Sequence, residues 1–306
     1  MSIDQSYIIP KIDPEILNKE LNSNTFVRKT NKAGNEIYIV NHHNSPNVMR
    51  EIGRLREITF SASGGGTGKE VDIDDFDTSE NCYDQLIVYD RDAQLIVGGY
   101  RFIYCDEVAQ AKEIQLSTKH YFNFSESFIK EYLPYTIELG RSWIHPDYQA
   151  GKSRKGLFIL DNLWDGLGAI VLKYPDMQYF FGKVTMYTTY NTDARNALLY
   201  FMTNYFPDSK KLVTPIHPIT IEGDLSGIKE VLTGKNFNDG IRSLNQHLKQ
   251  FGENIPPLIS TYMKLSPTMK SFGTAINPDF GGVEETGILL TMKDIYPKKK
   301  ERHLFY

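Results

Sequence analysis

The sequence predicts an α/β fold in which a mixed central sheet is flanked by helices, and three observations predict it. Segments with the alternating pattern of strands are interleaved with segments that have apolar residues at helical spacing. The composition, 41% hydrophobic and 24% charged residues, is that of a soluble globular protein. No run reaches the ~18 apolar residues that a membrane span needs, because Asp161 and Asp165 interrupt the longest one.

The first half of the chain supplies most of the predicted strands. After an irregular lead-in over residues 1–45, apolar residues recur at helical spacing from Val48 to Ile58, and a glycine-rich loop and an acidic stretch follow. The predicted elements are a strand at 36–40, a helix through 48–58, a hairpin with strands at 83–89 and 94–104, a helix at 126–132 and a strand at 136–144.

The second half is richer in helices. Its predicted elements are an amphipathic helix at 157–173, a strand at 179–187, helices at 192–204, 238–251 and 258–265, and a strand at 286–292. We interpret the chain as a single domain over residues 1–306, with a core at about 46–206 and a partly helical C-terminal extension at about 207–306.

Composition also limits the compartment and the partners. Two cysteines, Cys82 and Cys105, do not make a disulfide framework, and no Cys/His spacing suggests zinc, so we expect no bound metal. The polar, acidic start at residues 1–13 does not resemble a signal peptide. A net charge of −4 argues against nucleic-acid binding. We therefore expect a cytoplasmic protein.

The glycine-rich loop at residues 64–69 looks like a nucleotide-binding loop, but it lacks that motif's residues. A P-loop starts with glycine and ends with Gly-Lys-Ser/Thr, whereas here Ser63 and Glu70 hold the first and last positions. We expect a loop that covers a substrate. The segment around Ser142 lacks the second glycine of a nucleophile elbow, so we interpret Ser142 as a strand residue rather than a nucleophile. His42 and His43 are adjacent and would point to opposite faces of a strand, so we do not expect them to bind one metal ion together.

One ordered set of motifs indicates acyl transfer. It comprises Arg54-Leu55-Arg56, the acidic residues Asp72, Asp75 and Asp77, and the segments 97–102, 138–148, 255–263 and 277–280. In this order the motifs resemble those of the acetyltransferase-like (GNAT-like) N-acyltransferases that make ornithine and glycine lipids, often labelled hemolysin-like. They are more distantly similar to those of the acyl-homoserine-lactone synthases.

The resemblance implies site residues and a reaction. Glu138, Arg101 and Arg141 would be catalytic, with Glu138 as the base that deprotonates an amine. Arg54, Asp72 and Asp75 would position the early loop over the site. Glu138 and Arg141 lie three apart and would face opposite ways in a regular strand, so Gly140 between them predicts a bulge.

The implied reaction moves a long acyl chain, 3-hydroxylated in this family, from acyl carrier protein to the amine of glycine or ornithine. Lys152, Arg154 and Lys155 would bind the phosphopantetheine phosphate and the acidic carrier protein, or they form an ordinary solvated loop. Two alternatives stay open: an autoinducer synthase of the homoserine-lactone type, and a non-catalytic protein that binds acyl lipids or lyses cells.

The C-terminus carries a basic and apolar run. Lys298, Lys299, Lys300 and Arg302 are followed by Leu304, Phe305 and Tyr306. This pattern suits weak, reversible contact with an anionic membrane surface. The alternative is a frayed, solvated tail, which is common at chain ends.

Overall fold

A computed structural model describes residues 4–149, 156–221, 229 and 236–304. The strands are β1 (Phe26–Lys29), β2 (Glu36–Val40), β3 (Asp84–Asp90), β4 (Leu95–Tyr104), β5 (Phe122–Phe124), β6 (Thr136–Ile144), β7 (Tyr179–Met186), β8 (Val213–Pro215), β9 (Lys270–Asn277) and β10 (Val283–Thr291). The helices are α1 (Pro14–Glu20), α2 (Pro46–Ser61), α3 (Asp75–Thr78), α4 (Asp106–Gln110), α5 (Gly156–Lys173), α6 (Thr192–Tyr205), α7 (Phe237–Lys249), α8 (Pro257–Met263) and α9 (Pro297–Leu304).

The chain divides into two compact units. The first unit contains Met1–Glu107, Tyr135–Met177 and Tyr296–Tyr306, and the second contains Val108–Pro134 and Gln178–Ile295. The predicted fold class, α/β with sheet flanked by helices and a partly helical C-terminal part, is confirmed. Within the described residues, no helix is long and apolar enough to cross a membrane.

The sheet of the first unit has helix α5 on one face and, on the other, residues 71–77, which we call the acidic segment. Its strand order is β1-β2-β3-β4-β6, and every pair is antiparallel. Because successive side chains point to opposite faces, Leu86 faces α5 whereas Gln85 faces the acidic segment. A Cβ added to Gly98 would lie 3.4 Å from Ile159 of α5 and 2.9 Å from the Trp143 carbonyl oxygen. Glycine at 98 therefore lets strand and helix approach closely.

The second unit has an aromatic core. Strands β7, β10 and β9 form one antiparallel sheet, and β5 pairs with β8. The rings of Phe124, Phe128, Phe181 and Phe272 pack together, with centroids 5.0–6.4 Å apart in edge-to-face pairs. Such pairs add to the free energy gained from apolar burial.

Several short elements were not predicted from the sequence. The lead-in at 1–45 contains α1 and β1 besides the predicted strand, and β5, β8 and β9 have no predicted counterpart. The predicted helix at 126–132 is a π-helical turn at Phe128–Tyr132. Segments of three or four residues carry too little periodicity to predict. In β9, Gly273 interrupts the pattern, and its φ of 88° lies in the left-handed region.

The C-terminal segment is a docked helix rather than a frayed tail. His303 Nδ1 lies 2.8 Å from Asp165 Oδ1, and Arg302 Nη2 lies 2.5 Å from Asp161 Oδ2, so both basic side chains bind α5. The Arg28 guanidinium of β1 donates to the His303 carbonyl oxygen at 2.6 Å. These bonds hold α9 in place and leave Lys298 and Lys299 exposed.

Candidate active site

Six charged side chains come together on the face of the first sheet that lies opposite α5. They come from α2, from the segment between α2 and β3, and from strands β4 and β6. We call them the charged cluster: Arg56, Asp72, Asp74, Asp77, Arg101 and Arg141. Three guanidinium groups thus face three carboxylates, so the formal charges balance inside the cluster.

Arg56 of α2 lies at the buried end of the charged cluster and has no solvent exposure. Its Nε donates to Asp72 Oδ2 at 3.0 Å. Its two terminal nitrogens donate to the two oxygens of Asp77 at 3.2 and 3.1 Å. This bidentate contact fixes both the position and the orientation of the Asp77 carboxylate.

Arg101 of β4 holds the same segment from the sheet. Its Nη1 lies 2.6 Å from Asp74 Oδ1 and 3.3 Å from Asp77 Oδ2. Its guanidinium carbon lies 5.1 Å from the ring centroid of Tyr83 and 5.7 Å from that of Phe76. Aromatic faces stabilise a desolvated cation, so Arg101 is held by charge and by packing.

Arg141 reaches the charged cluster because β6 contains a bulge. Arg101 pairs with Gly140 and Gly99 pairs with Trp143, so two residues of β6 oppose one residue of β4. The predicted bulge is therefore present, and its left-handed residue is Arg141, with φ of 46°, rather than Gly140. Arg141 Nε lies 2.9 Å from Asp72 Oδ2, and Nη2 lies 3.6 Å from Asp74 Oδ2.

The arginines keep the buried aspartates ionised. Burial alone would raise the pKa of Asp72, but Arg141 and Arg56 outweigh it and lower that pKa below its ordinary value. Burial is likewise outweighed at Asp77 by Arg56 and Arg101, which lower the pKa of its carboxyl. At neutral pH the cluster is therefore a set of fixed charges.

Glu138 of β6 lies beside the charged cluster and is fully buried. Its Oε1 accepts a hydrogen bond of 2.8 Å from the Tyr83 hydroxyl. Tyr83 also packs on Arg101, so the phenol lies between the carboxylate and the cluster. A buried carboxylate bonded to a hydroxyl has the geometry of a base with an attached proton carrier.

The buried thiol of Cys105 is next to Glu138 but is not suited to be a nucleophile. Burial, and then the charge of Glu138, raise the pKa of the Cys105 thiol well above its ordinary value. The reactive form of cysteine is the thiolate. Cys105 therefore stays protonated, and an acyl-cysteine intermediate at this position is disfavoured.

Two of the residues expected to position the early loop, Arg54 and Asp75, do not bind the charged cluster. Asp75 is exposed at the start of α3, and Asp74 and Asp77 take the place expected for it. Arg54 binds Glu51 on its own helix at 2.6 Å, whereas Arg56 binds the acidic segment. Side-chain direction explains the difference on α2, because residues two apart on a helix, such as Arg54 and Arg56, point about 200° apart.

The sequence did carry signals for the residues that form the charged cluster. Arg56 follows Ile52 by four residues, on the same helical stripe as the apolar face. Asp74 and Asp77 have the spacing of a capping box, and the Asp74 N–H donates to Asp77 Oδ2 at 3.1 Å. Tyr83 had no comparable signal. Lys152, Arg154 and Lys155 lie outside the described residues.

The sequence of this chain is similar to a known domain family and to known proteins. Residues 55–158 match the acetyltransferase (GNAT) domain family. Two relatives are each described as glycine N(alpha)-acyltransferase. The one from Phocaeicola vulgatus is 51% identical over 301 residues, covering 97% of this chain and 92% of its own. The one from Bacteroides thetaiotaomicron is 50% identical over 300 residues, covering 97% and 89%.

A solved structure, that of the AHL synthase LasI, is similar with a TM-score of 0.40 and 13% identity. The match covers 89% of this chain and 96% of that one.

The charged cluster predicts unequal effects for two aspartates that lie two residues apart. Asp77→Asn should lower the free energy of unfolding by about 3–5 kcal/mol, because it leaves buried arginines uncompensated. Asp75→Asn, at an exposed helix start, should cost less than about 1 kcal/mol. Urea unfolding at pH 7 of the two purified variants measures the difference.

The difference in unfolding free energy between wild type and Asp77→Asn should depend on pH. The folded pKa of Asp77 is depressed, so its stabilisation is present above its unfolded pKa of about 3.9 and is lost as the pH falls below that value. The gap between wild type and Asp77→Asn should therefore narrow below about pH 4. Equal unfolding midpoints for the two variants at pH 7 would contradict a stabilising role for the cluster.

Proposed function

This chain belongs to the same family as the two glycine N(alpha)-acyltransferases, and from that premise we propose that it transfers a fatty acyl group from a thioester carrier to the amine of glycine. Membership of that family makes the chain an acyltransferase. We choose glycine as the acceptor because the chain is 51% identical, over 97% of its length, to a relative described as glycine N(alpha)-acyltransferase. Ornithine is the second acceptor, on the resemblance described above.

The proposed chemistry starts with removal of a proton from the acceptor. An amino acid's amine is mostly protonated at neutral pH and cannot attack until it loses that proton. Glu138 is the base. Because its carboxylate is buried and bonded to Tyr83, the proton passes through the Tyr83 hydroxyl, whose oxygen accepts it while its own proton moves to Glu138.

Transfer then follows the course of an amide synthesis. The neutral amine nitrogen attacks the thioester carbonyl carbon, forming a C–N bond, and the carbonyl oxygen takes up negative charge. Collapse of this intermediate breaks the C–S bond. The nitrogen then loses its extra proton, the released thiolate takes up one proton to become the carrier's thiol, and the proton held by Glu138 passes to solvent before the next cycle. Backbone N–H groups are the usual stabilisers of such an oxyanion.

Arg101 and Arg141 act by position in this proposal. Their guanidinium groups bind Asp74 and Asp72 at 2.6 and 2.9 Å, so they hold the acidic segment against the sheet. Tyr83, which packs on Arg101, is thereby held at the distance that Glu138 requires. Positioning of this kind supplies a large part of enzymatic rate enhancement.

The donor we propose is acyl carrier protein carrying a long, 3-hydroxylated chain. The basic residues Lys152, Arg154 and Lys155 precede α5 in the sequence. Their charge suits a phosphate and the acidic surface of a carrier protein. No further cofactor is required by the reaction, since the thioester itself supplies the energy of the bond.

Two alternatives are weaker. A homoserine-lactone synthase uses a different acceptor, whereas the half-identical relatives are described as glycine enzymes. A non-catalytic or lytic protein does not explain a buried carboxylate bonded to a phenol beside three arginines. Both alternatives predict that no acylglycine forms.

The first test of the proposal is a competition assay with purified protein. Glycine and ornithine are offered together with a 3-hydroxyacyl thioester of carrier protein or of coenzyme A, and products are identified by mass spectrometry. We expect N-acylglycine as the main product, a higher kcat/KM with the carrier protein, and a smaller preference at high salt. Acylornithine as the main product contradicts the acceptor, and equal kcat/KM values contradict the donor.

Glu138→Gln should keep the fold but lower turnover by about 10²- to 10⁴-fold, because an amide cannot accept the proton. Tyr83→Phe removes the hydroxyl and should lower turnover comparably. Circular dichroism and urea unfolding of both variants serve as the folding control. Near-wild-type turnover in Glu138→Gln excludes Glu138 as the base, and full activity of Tyr83→Phe alone excludes the Tyr83 route.

We also propose a cytoplasmic location with peripheral contact to the membrane through α9, since the product carries a long acyl chain. Lys298→Glu/Lys299→Glu should reduce co-sedimentation with anionic liposomes, because each basic residue near the surface contributes about 1 kcal/mol. The control Lys249→Glu/Lys264→Glu changes the net charge equally at exposed positions of the second unit. Equal losses of liposome co-sedimentation in both double variants would contradict a membrane contact through α9.

A further inference from the structure

The glycine-rich loop, residues 64–69, wraps around a carboxylate of its own chain. Glu57 of α2 has no solvent exposure. Its Oε2 accepts from the Thr67 N–H at 2.9 Å and from the Thr67 hydroxyl at 2.8 Å. Its Oε1 accepts from the Gly68 N–H at 3.0 Å and from the Tyr7 hydroxyl at 2.8 Å. Four donors thus converge on one carboxylate.

The backbone of the loop is shaped for this anion. Gly66 has φ of 92°, which disfavours any residue with a Cβ. A Cβ at this position would also lie 2.9 Å from Glu57 Oε1 and 3.1 Å from the Ser61 nitrogen. Successive N–H groups in such a turn make an anion-binding concavity of the kind that holds phosphate in nucleotide-binding proteins. Here the anion is a side chain.

The loop leads directly into the charged cluster. Three residues separate Gly68 from Asp72, so the loop and Asp72 are at most roughly 14 Å apart along an extended chain. The Asp72 N–H donates to the Gly53 carbonyl oxygen at 3.0 Å, which brings the returning chain alongside α2. One helix therefore holds the loop through Glu57 and the acidic segment through Arg56.

We propose that Glu57 is the resident anion of a backbone anion site in the glycine-rich loop, and that it is a positioning residue for acyl transfer. It acts through the acidic segment, whose start it fixes beside Arg56, and it does not touch substrate. The catalytic part of this statement rests on the proposed function. The anion site itself does not.

Substitutions at Glu57 separate an anion site from ordinary packing. Glu57→Ala removes one methylene carbon and the carboxylate, which together have the heavy atoms of acetate. The vacated site retains the donors of Thr67, Gly68 and Tyr7, so free acetate should bind there. Glu57→Gln keeps the shape but has one oxygen for four donors, and its amide group occupies the space that acetate would need.

The experiment compares wild type, Glu57→Ala and Glu57→Gln with and without acetate. Hydrogen exchange of the peptide covering residues 61–70 should be slow in wild type and fast in both variants. Acetate should restore slow exchange in Glu57→Ala only. kcat/KM for glycine acylation should fall about tenfold to hundredfold in Glu57→Ala, and acetate should restore a large part of it. Sodium chloride and acetamide, tested separately, should restore neither property.

The outcomes distinguish the two parts of the proposal. Unchanged exchange at residues 61–70 in Glu57→Ala, or no effect of acetate on either property, overturns it. Restored exchange without restored turnover overturns the positioning role. Thr67→Val, which removes one donor and keeps the size, tests the site if Glu57→Ala does not fold: exchange at residues 61–70 must quicken. A wild type that acylates no glycine contradicts the proposed function, while the exchange results still decide the anion site.

Discussion

The contact between Arg56 and two carboxylates is the constraint on which the first unit depends. A guanidinium without solvent exposure costs several kcal/mol unless it is neutralised and hydrogen-bonded. Asp72 and Asp77 meet that need, so the segment between α2 and β3 has to lie against the helix. Asp77 then requires Arg101 from β4, and Asp72 requires Arg141 from β6. The bulge in β6 follows, since a regular strand would point Arg141 to the other face.

This arrangement separates support from chemistry. The charged cluster is a balanced set of fixed charges, and its arginines lower the pKa of the Asp72 and Asp77 carboxyls below the ordinary value. Glu138 lies beside it, with a phenol as hydrogen-bond donor. A group that must gain and lose a proton in each cycle cannot also be a fixed charge of the frame. Our proposal therefore gives the charged cluster a positioning role and Glu138 the proton transfer.

Much of this fold could be predicted because long, periodic segments dominate it. Helix α5, strand β6 and helix α6 were predicted within one residue at each end. The direction of individual side chains and several strands could not be predicted. On α2, Arg54 and Arg56 look alike in sequence, and only the side of the helix decides which one is buried. Strand β9 was missed because Gly273 interrupts its pattern. Tyr83 could not be found at all, since its partner Glu138 is 55 residues away.

We propose above all that this chain makes an acylated glycine, with Glu138 as the group that takes the proton. Lipid mass spectrometry of cells expressing the protein tests it most directly, beside cells carrying an empty vector and cells expressing Glu138→Gln at the same protein level. We expect N-acylglycine lipids in the cells that express the wild-type protein and almost none in the other two. Equal amounts of these lipids in wild-type and Glu138→Gln cells, or none in any of them, would contradict it.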